Sequence, residues 1–429
     1  MNKEMSKTLI LITLILTTTM QSLVAQDTTH LNLNEIYVLI DKDYPQIKYY
    51  EAKIQSLQAM VTGAKAWMPP TVGAAFDQFP YRVSMIKDQT VENQAGLMFS
   101  VKQMIPNPAR LNARKDYLSS LSTVQKNDLN WQKNLLYYTA RVYYYRRYVG
   151  ETKLRLLKEY KELLSLLIKN AKEKYAYNQA ELGTIFKAEA SLSELNNMEY
   201  MLLSQIAEGS IGINTLLNRE VNTPFSIDTF LVVGNYDADY EVFADTTLKT
   251  DSSIFQRSDI LSVQNQIRSM ELNRKYAATA AKPEFGIQYN HGQMFAMPSR
   301  FSLMGMVTIP IAPWSSKMYK SEVRSMGFEI EAMQREKETM QLMAGQMLRE
   351  KITMLHYEKK QLDNYDKEVL PSYKRNLETN LLAYRQNTGN FFVLLDAWNM
   401  LLMKELERID KLGQVFLIQS DYEYQRELK

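Results

Sequence analysis

The sequence predicts a mainly α chain of long antiparallel helical hairpins carrying four short β-strands, with the whole arrangement laid out twice. Three observations predict it. First, AKAWMPPTVGAAF, AGLMFSVKQMIPNPARLNARKDY and YNQAELGTIFKAEASL in the first half answer to ATAAKPEFGIQY, FSLMGMVTIPIAPWSSKMYKSEV and YRQNTGNFFVLLDAWNML in the second. Placing Pro70 on Pro283, Pro106 on Pro310 and Tyr177 on Tyr384 takes offsets of roughly 204 to 213 residues. That is too long for a solenoid period, so the chain is a duplicated half-molecule. Second, the 429 residues hold only 15 Gly and 12 Pro, and 23% are charged, a balance that suits extended helices better than compact globules. Third, the apolar period drops from helical spacing to two at the same place in each copy.

Taken in order, the N-terminus has Lys3 and Lys7 ahead of an apolar run from Leu9 to Leu16, a polar stretch and then LVAQ. This predicts a signal peptide over residues 1–26, cleaved near Ala25 or Gln26, with an uncleaved signal anchor as the alternative. The run is too short to span a bilayer. The sequence has no cysteine, which excludes a disulfide, thiol chemistry and a lipid-accepting cysteine. Lys plus Arg is 51 against 48 for Asp plus Glu, with the signs interleaved, so no basic face points to nucleic acid.

The first repeat occupies residues 27–218. From Leu31 to Met68 the pattern is helical, with Ile47, Ile54 and Val61 seven apart and Pro69 and Pro70 as the stop. Strands follow over Val72 to Phe79 and Leu97 to Val101, making a hairpin at about 71–103. After Pro106 a helix reaches the neighbourhood of Gln179, on the order of 100 Å of rod. Leu121, Val124, Trp131, Leu135, Tyr138, Val142, Tyr145 and Val149 form its seam at three-then-four spacing, interrupted at Asp128. A return helix runs from Thr184 to about Leu217. The second repeat, residues 258–429, matches with a helix, a hairpin at about 283–309, a long helix from near Ser316 to about Arg385, and a return helix from Phe391 to about Tyr422. Pro371 predicts a kink or local unwinding, and Leu395, Trp398, Leu402, Ile409, Leu412 and Phe416 make the return seam. The 27 Tyr and 24 Met fall mostly on such seams, where packing is the expected role. Residues 219–257 lose periodicity and collect Asp228, Asp237, Asp239, Asp245 and Asp251, which reads as a solvated connector. DADYE is no calcium loop, because Val242 and Leu248 stand where Gly and Glu are required.

Within the strands, Phe285, Ile287 and Tyr289 alternate with Gly286, Gln288 and Asn290, and Leu97, Phe99 and Val101 alternate with Met98, Ser100 and Lys102. An apolar face opposite a polar one is what a water-filled barrel in lipid requires. Four strands cannot close, and an open edge cannot sit in hydrocarbon. A trimer would supply twelve strands, making a small membrane β-barrel above an α-helical tunnel. The alternative is a set of soluble hairpins covering a helical core.

The two-repeat layout resembles the TolC family of outer-membrane efflux channels. The resemblance covers residues from about 31 to 424 and rests on YPQIKYYEAKIQSLQAMVTGAKAWMPP, RSDILSVQNQIRSMELNRKYAATAAKPE and YRQNTGNFFVLLDAWNMLL in this order and spacing. It implies a homotrimer with a twelve-stranded barrel in outer-membrane lipid, a periplasmic helical tunnel, and an equatorial region formed by the connector and C-terminal residues. It also implies a periplasmic adaptor docking on the hairpin tips, and an inner-membrane pump of the RND type. The matching tip positions are Ala180, Glu181, Leu182, Gly183 and Thr184 in the first copy and Asn387, Thr388, Gly389 and Asn390 in the second. Gly183 and Gly389 are expected to supply the backbone angles of a sharp reversal.

Asp396, in the LLDAW string, matches a family position facing the tunnel entrance, where threefold symmetry would make a ring of three carboxylates. The family can carry a second acid three residues earlier, whereas this chain has Val393. The other reading of Asp396 is a surface carboxylate paired with a lysine.

Catalysis finds no support. His30, His291 and His356 lie far apart, and there is neither a phosphate-binding glycine loop nor a nucleophile elbow. His291, Met294 and Met297 in HGQMFAM, in the loop between the third and fourth predicted strands, are the one metal-like cluster; that loop would lie on the outer side of the membrane, the wrong place to select cargo, and its methionines are expected to be incidental, so no metal or cofactor is expected. The expected function is therefore a passive exit duct of a tripartite pump for small molecules or metal cations, since IPNPARL and IPIAPWSSKMYKSEV resemble the metal-efflux branch. An exit duct for type I protein secretion and a structural periplasmic coiled-coil protein are the alternatives.

Overall fold

The computed structural model describes residues 29–87, 94–177, 181–244, 256–295 and 297–429; the expected signal peptide lies outside them. The elements are β1 (Thr29–His30), α1 (Leu33–Asp43), α2 (Pro45–Thr62), β2 (Thr71–Asp77), β3 (Gly96–Ile105), α3 (Pro108–Ala176), α4 (Leu182–Leu216), β4 (Phe225–Ser226), α5 (Asp237–Ala244), α6 (Ser258–Ala278), β5 (Glu284–Met294), β6 (Arg300–Thr308), α7 (Pro313–Asn364), a π-helical turn (Tyr365–Val369), α8 (Leu370–Arg385) and α9 (Phe391–Arg426). The chain forms two compact units, one from Met1–Pro45, Asn134–Leu248 and Leu348–Lys429, the other from Gln46–Lys133 and Lys249–Met347. Each draws on both copies of the repeat.

In the second unit, β2, β3, β5 and β6 form one antiparallel sheet in that order, the two hairpins being joined through β3 and β5. The β3–β5 pairing, Val101 opposite Tyr289 and Phe99 opposite His291, joins the two repeats into a single sheet. The seam interruption at Asp128 is also accounted for here. Its carboxylate accepts hydrogen bonds from Ser262 on α6 and from Gln125 Nε2 at 3.0 Å, so a polar residue crosses an otherwise apolar stripe without losing its partners.

The first unit is helical. Its largest core packs Leu157, Leu164 and Ala171 of α3, Ile185, Leu195 and Leu202 of α4, and Leu394, Trp398 and Leu402 of α9. All six expected seam residues of α9 are buried. On α3 the expected stripe holds only in part: Val124, Tyr145 and Val149 are buried, but Leu135 is exposed and Leu136, Ala140, Tyr144 and Tyr148 turn inward instead. A straight α-helix drifts about 20° per heptad against a 3.5-residue repeat, so over many turns the buried stripe moves off the heptad positions. At the α3–α4 contact, a Cβ on Gly212 would stand 2.6 Å from the Tyr143 ring, which is why the helices approach there only with glycine.

Of the next three expectations, two are corrected and one is met. The single helix from Leu31 to Met68 is two helices, because Pro45 forces Tyr44 out of the helical region (φ −72°, ψ 125°). It also ends at Thr62, ahead of the prolines. A capping box starts α1, with Asn32 and Glu35 exchanging two 2.9 Å bonds. Second, the local unwinding expected at Pro371 is present: Tyr365–Val369, one residue ahead of it, take a π-helical turn, with Leu370 N–H reaching back to Tyr365 O. The wider turn accommodates the donor and the space that proline removes. Third, the connector is not loosely solvated. Phe225–Ser226 pairs in parallel with Thr29–His30. Asp228 accepts from Tyr144 at 2.7 Å, Asp239 from Tyr422 at 2.6 Å and Arg426 at 3.0 Å, and Asp237 pairs with Lys359 at 3.1 Å. Asp245 and Asp251 lie outside the described residues.

These contacts leave a belt of tyrosines shielded from water. Burial, with the nearby carboxylates Glu423 and Asp421 adding to it, pushes the phenols of Tyr37 and Tyr138 up to about 12. Burial likewise pushes up Tyr144, Tyr145, Tyr236 and Tyr422. Below pH 10 the phenols are protonated in folded and unfolded chains alike, so their contribution is fully present. Above it the unfolded chain ionises first, and stability falls as pH climbs from about 10 toward 12. A Tm that declines over that window, with phenolate absorbance lagging free tyrosine until unfolding, is the expected result; phenolate absorbance that tracks free tyrosine would contradict it.

Candidate functional site

The sheet sorts its side chains by pleat. Val72, Ala74 and Phe76 of β2, Leu97, Phe99, Val101 and Ile105 of β3, Phe285, Ile287 and Tyr289 of β5, and Phe301, Leu303 and Val307 of β6 share one face by register. Leu303 is 71% exposed and Phe76 70%, although nothing in the sequence softens them with charge. Six or more large apolar side chains open on one sheet face exceed what a water-facing surface ordinarily shows. The opposite face carries Ser100, Lys102, Gln288, Asn290, Ser302 and Thr308. Gln288 donates to Asn290 at 2.8 Å and Asn290 to Ser302 at 3.1 Å, a polar chain across two strands. Among the described residues β2 and β6 pair on one side only, so two edges present free backbone donors and acceptors.

In the helical unit the two hairpin tips touch each other. Lys174 Nζ, at the end of α3, donates to Asn387 Oδ1 at 2.7 Å, and its ammonium sits 4.1 Å from the Tyr384 ring. A cation at the C-terminus of α8 complements that helix's dipole. The reversal itself uses Asn387 rather than glycine. Asn387 holds φ 58°, while no glycine among the described residues has positive φ. The N–H groups of Thr388 and Gly389 both reach Ala383 O at 3.0 Å, closing α8. Gly389 is needed for space, since a Cβ there would lie 2.9 Å from Ala383 Cβ, whereas Gly183 has open surroundings and needs neither space nor special angles. Asparagine tolerates the left-handed region through its short polar side chain.

Of the sequence-predicted tip residues, Glu181, Leu182, Gly183, Asn387, Thr388 and Asn390 are exposed, Gly389 is half-buried, and Thr184 turns into the core; Ala180 lies outside the described residues. Asn390 caps α9, accepting from Phe392 N–H at 2.9 Å. Asp396 stands on the exposed side of α9 beside Phe392, Val393 and Met400, each roughly half exposed. Among the described residues no lysine or arginine pairs with Asp396, so the surface ion-pair reading lacks its partner.

The HGQMFAM cluster does not converge. His291 aligns with Phe99 and Phe301 on the apolar face, and Met294, three residues on, falls on the other face. No group of three or more His, Cys, Asp or Glu able to hold a metal occurs among the described residues. No helix of the described residues is long and apolar enough to cross a membrane.

The sequence matches no family model and no curated protein. Solved structures do match. The outer-membrane channel OprN superposes with a TM-score of 0.74 at 12% identity, over 92% of this chain and 89% of that one. The outer membrane protein VceC of Vibrio cholerae gives 0.73 at 9% identity over 92% and 95%, and the CmeC outer membrane channel of Campylobacter jejuni 0.72 at 14% identity over 92% and 85%. The fold is therefore that of the outer-membrane channels, helical hairpins carrying a four-stranded sheet. At these identities the likeness defines the architecture, and the chemistry has to be argued from the chain's own residues.

Proposed function

We propose that the chain is one protomer of a homotrimeric outer-membrane channel of the TolC type, acting as the passive exit duct of a tripartite efflux pump. The observation that carries this is the sheet, apolar on one face, polar on the other and open at both edges. Three copies close those edges into twelve strands, with the apolar face toward lipid and the polar face toward a water-filled lumen. The exposed tip residues Glu181, Leu182, Gly183, Asn387, Thr388 and Asn390 are the docking surface for a periplasmic adaptor, which links the duct to an inner-membrane pump of the RND type. Cargo is small molecules or metal cations, and the protein contributes a pore and no chemistry. The segment before residue 27 is the export signal.

Asp396 lines the entrance, where threefold symmetry makes one carboxylate into a ring of three. Recovery of a trimer from the outer-membrane fraction is the expected result, and a monomer released with the soluble periplasm would sink the reading. In single-channel recordings of the reconstituted trimer, Asp396→Asn lowers cation over anion preference. Unchanged selectivity would remove Asp396 from the entrance.

A further inference from the structure

The polar face of the sheet has a feature that neither a water-filled lumen nor lipid contact calls for. All five methionines of the four long strands, Met98, Met104, Met294, Met304 and Met306, fall on it, and the apolar face has none. If these residues were there for bulk alone, Leu, Ile, Val and Phe would serve, as they do on the other face. What methionine adds is a polarisable thioether.

Two of the five converge. In register, Met104 of β3 and Met306 of β6 flank Gly286 of β5. A Cβ at Gly286 would lie 2.7 Å from Met104 Sδ and 3.2 Å from Met306 Cε, so both side chains lean over the glycine and occupy the space that a larger residue would take. Both are half-buried, and Met304, two residues from Met306 on the same face, is 48% exposed, so the group remains reachable. Nearby charges are Lys102, two residues along β3 from Met104, and the Arg110–Glu284 ion pair. No group of three or more His, Cys, Asp or Glu gathers among the described residues, and the carboxylate nearest in register, Glu284, is paired with Arg110, which leaves thioether sulfur as the donor. Neutral soft donors of this kind select a soft monovalent ion over Zn(II), Mg(II) or Ca(II).

We infer that Met104 and Met306, with Met304 as an additional donor, form a binding site for a soft monovalent cation of the Cu(I) or Ag(I) class on the polar face of the sheet. The site rests on the register of the sheet and not on the channel reading, so one can fail without the other. The test uses the full-length protein in detergent, labelled at the methionine methyl groups with carbon-13, and titrated with Ag(I). The methyl resonances of Met104 and Met306, assigned from the two single Met→Leu variants, are expected to shift together and saturate together. The volume-conserving double variant Met104→Leu, Met306→Leu is expected to weaken that binding at least tenfold, while Met98→Leu, Met294→Leu leaves it unchanged. Gly286→Ala keeps every sulfur but pushes the pair apart, and should weaken binding too. Lys102→Gln should tighten it by roughly threefold, the effect of one like charge about 7 Å away in a water-like dielectric. Ag(I) that shifts only other methionines, or binds the Met104/Met306 double variant as it binds the wild type, overturns the proposal.

Discussion

Leu303→Arg is expected to prevent the proposed insertion of the sheet into lipid, whereas Ser302→Arg, one residue away, is expected to be tolerated. Leu303 lies opposite Tyr289 in the middle register row of the apolar face, and Ser302 is bonded to Asn290 on the polar face. The pleat sends neighbours to opposite sides, so the pair isolates the facing question from strand propensity and position. An arginine at the bilayer midplane costs about 2–4 kcal/mol, and three copies bring roughly 6–12 kcal/mol against an assembled trimer. On the polar face the same side chain stays in water and costs little beyond one lost hydrogen bond, on the order of 1 kcal/mol. The measurement is the fraction of heat-labile trimer in outer-membrane vesicles for each variant. Equal loss in both would mean that the apolar face does not meet lipid, and equal tolerance would mean that the sheet is solvated on both sides.

How much of this was readable beforehand follows from the range of each interaction. Alternation along β5 and β6 is a local signal, and the strands fall where it puts them, with ends shifted by a few residues. The α9 seam is local too, and each of its six residues is buried. Pro45 is a local signal as well: the residue before a proline leaves the helical region, which divides the N-terminal helical pattern into two helices. The same period-two rule that defined the sheet already excluded a joint site for His291 and Met294, which are an odd number apart. It also places the five strand methionines on one face. At the tips, composition points to glycine, but the αL residue is Asn387, and Gly389 serves only the close approach to Ala383. The connector's acids looked solvated because their partners, Tyr144, Lys359, Tyr422 and Arg426, come from helices distant in sequence, and no local pattern announces such a pairing.

Another pairing between residues distant in sequence carries the other large expected effect. Arg141 on α3 is 1% exposed and Glu423, near the end of α9, is 9% exposed. The Arg141 guanidinium pairs with Glu423 Oε2 and donates through Nη2 to Leu428 O at 3.0 Å. The other carboxylate oxygen accepts from Tyr236 and Gln419, each at 2.7 Å, and Gln419 in turn accepts from Gly234 N–H at 2.9 Å. One ion pair thus binds the last turns of α9, the middle of α3 and the connector. Arg141→Met leaves the carboxylate buried and unbalanced, at an expected cost of about 3–5 kcal/mol. Glu423→Gln strands the guanidinium at a similar cost, although Tyr236 and Gln419 keep part of the network. The double variant removes both charges and should recover much of either loss, because much of each single penalty is an uncompensated ion and not a missing attraction. A double-mutant cycle on the detergent-solubilised protein, read by denaturant midpoint and by proteolysis of the C-terminal turns, separates the terms. Single variants as stable as the wild type would show that the pair is solvated. A double variant as weak as the sum of the singles would mean that the two residues stabilise separate contacts and that the tie between α3, α9 and the connector lies elsewhere.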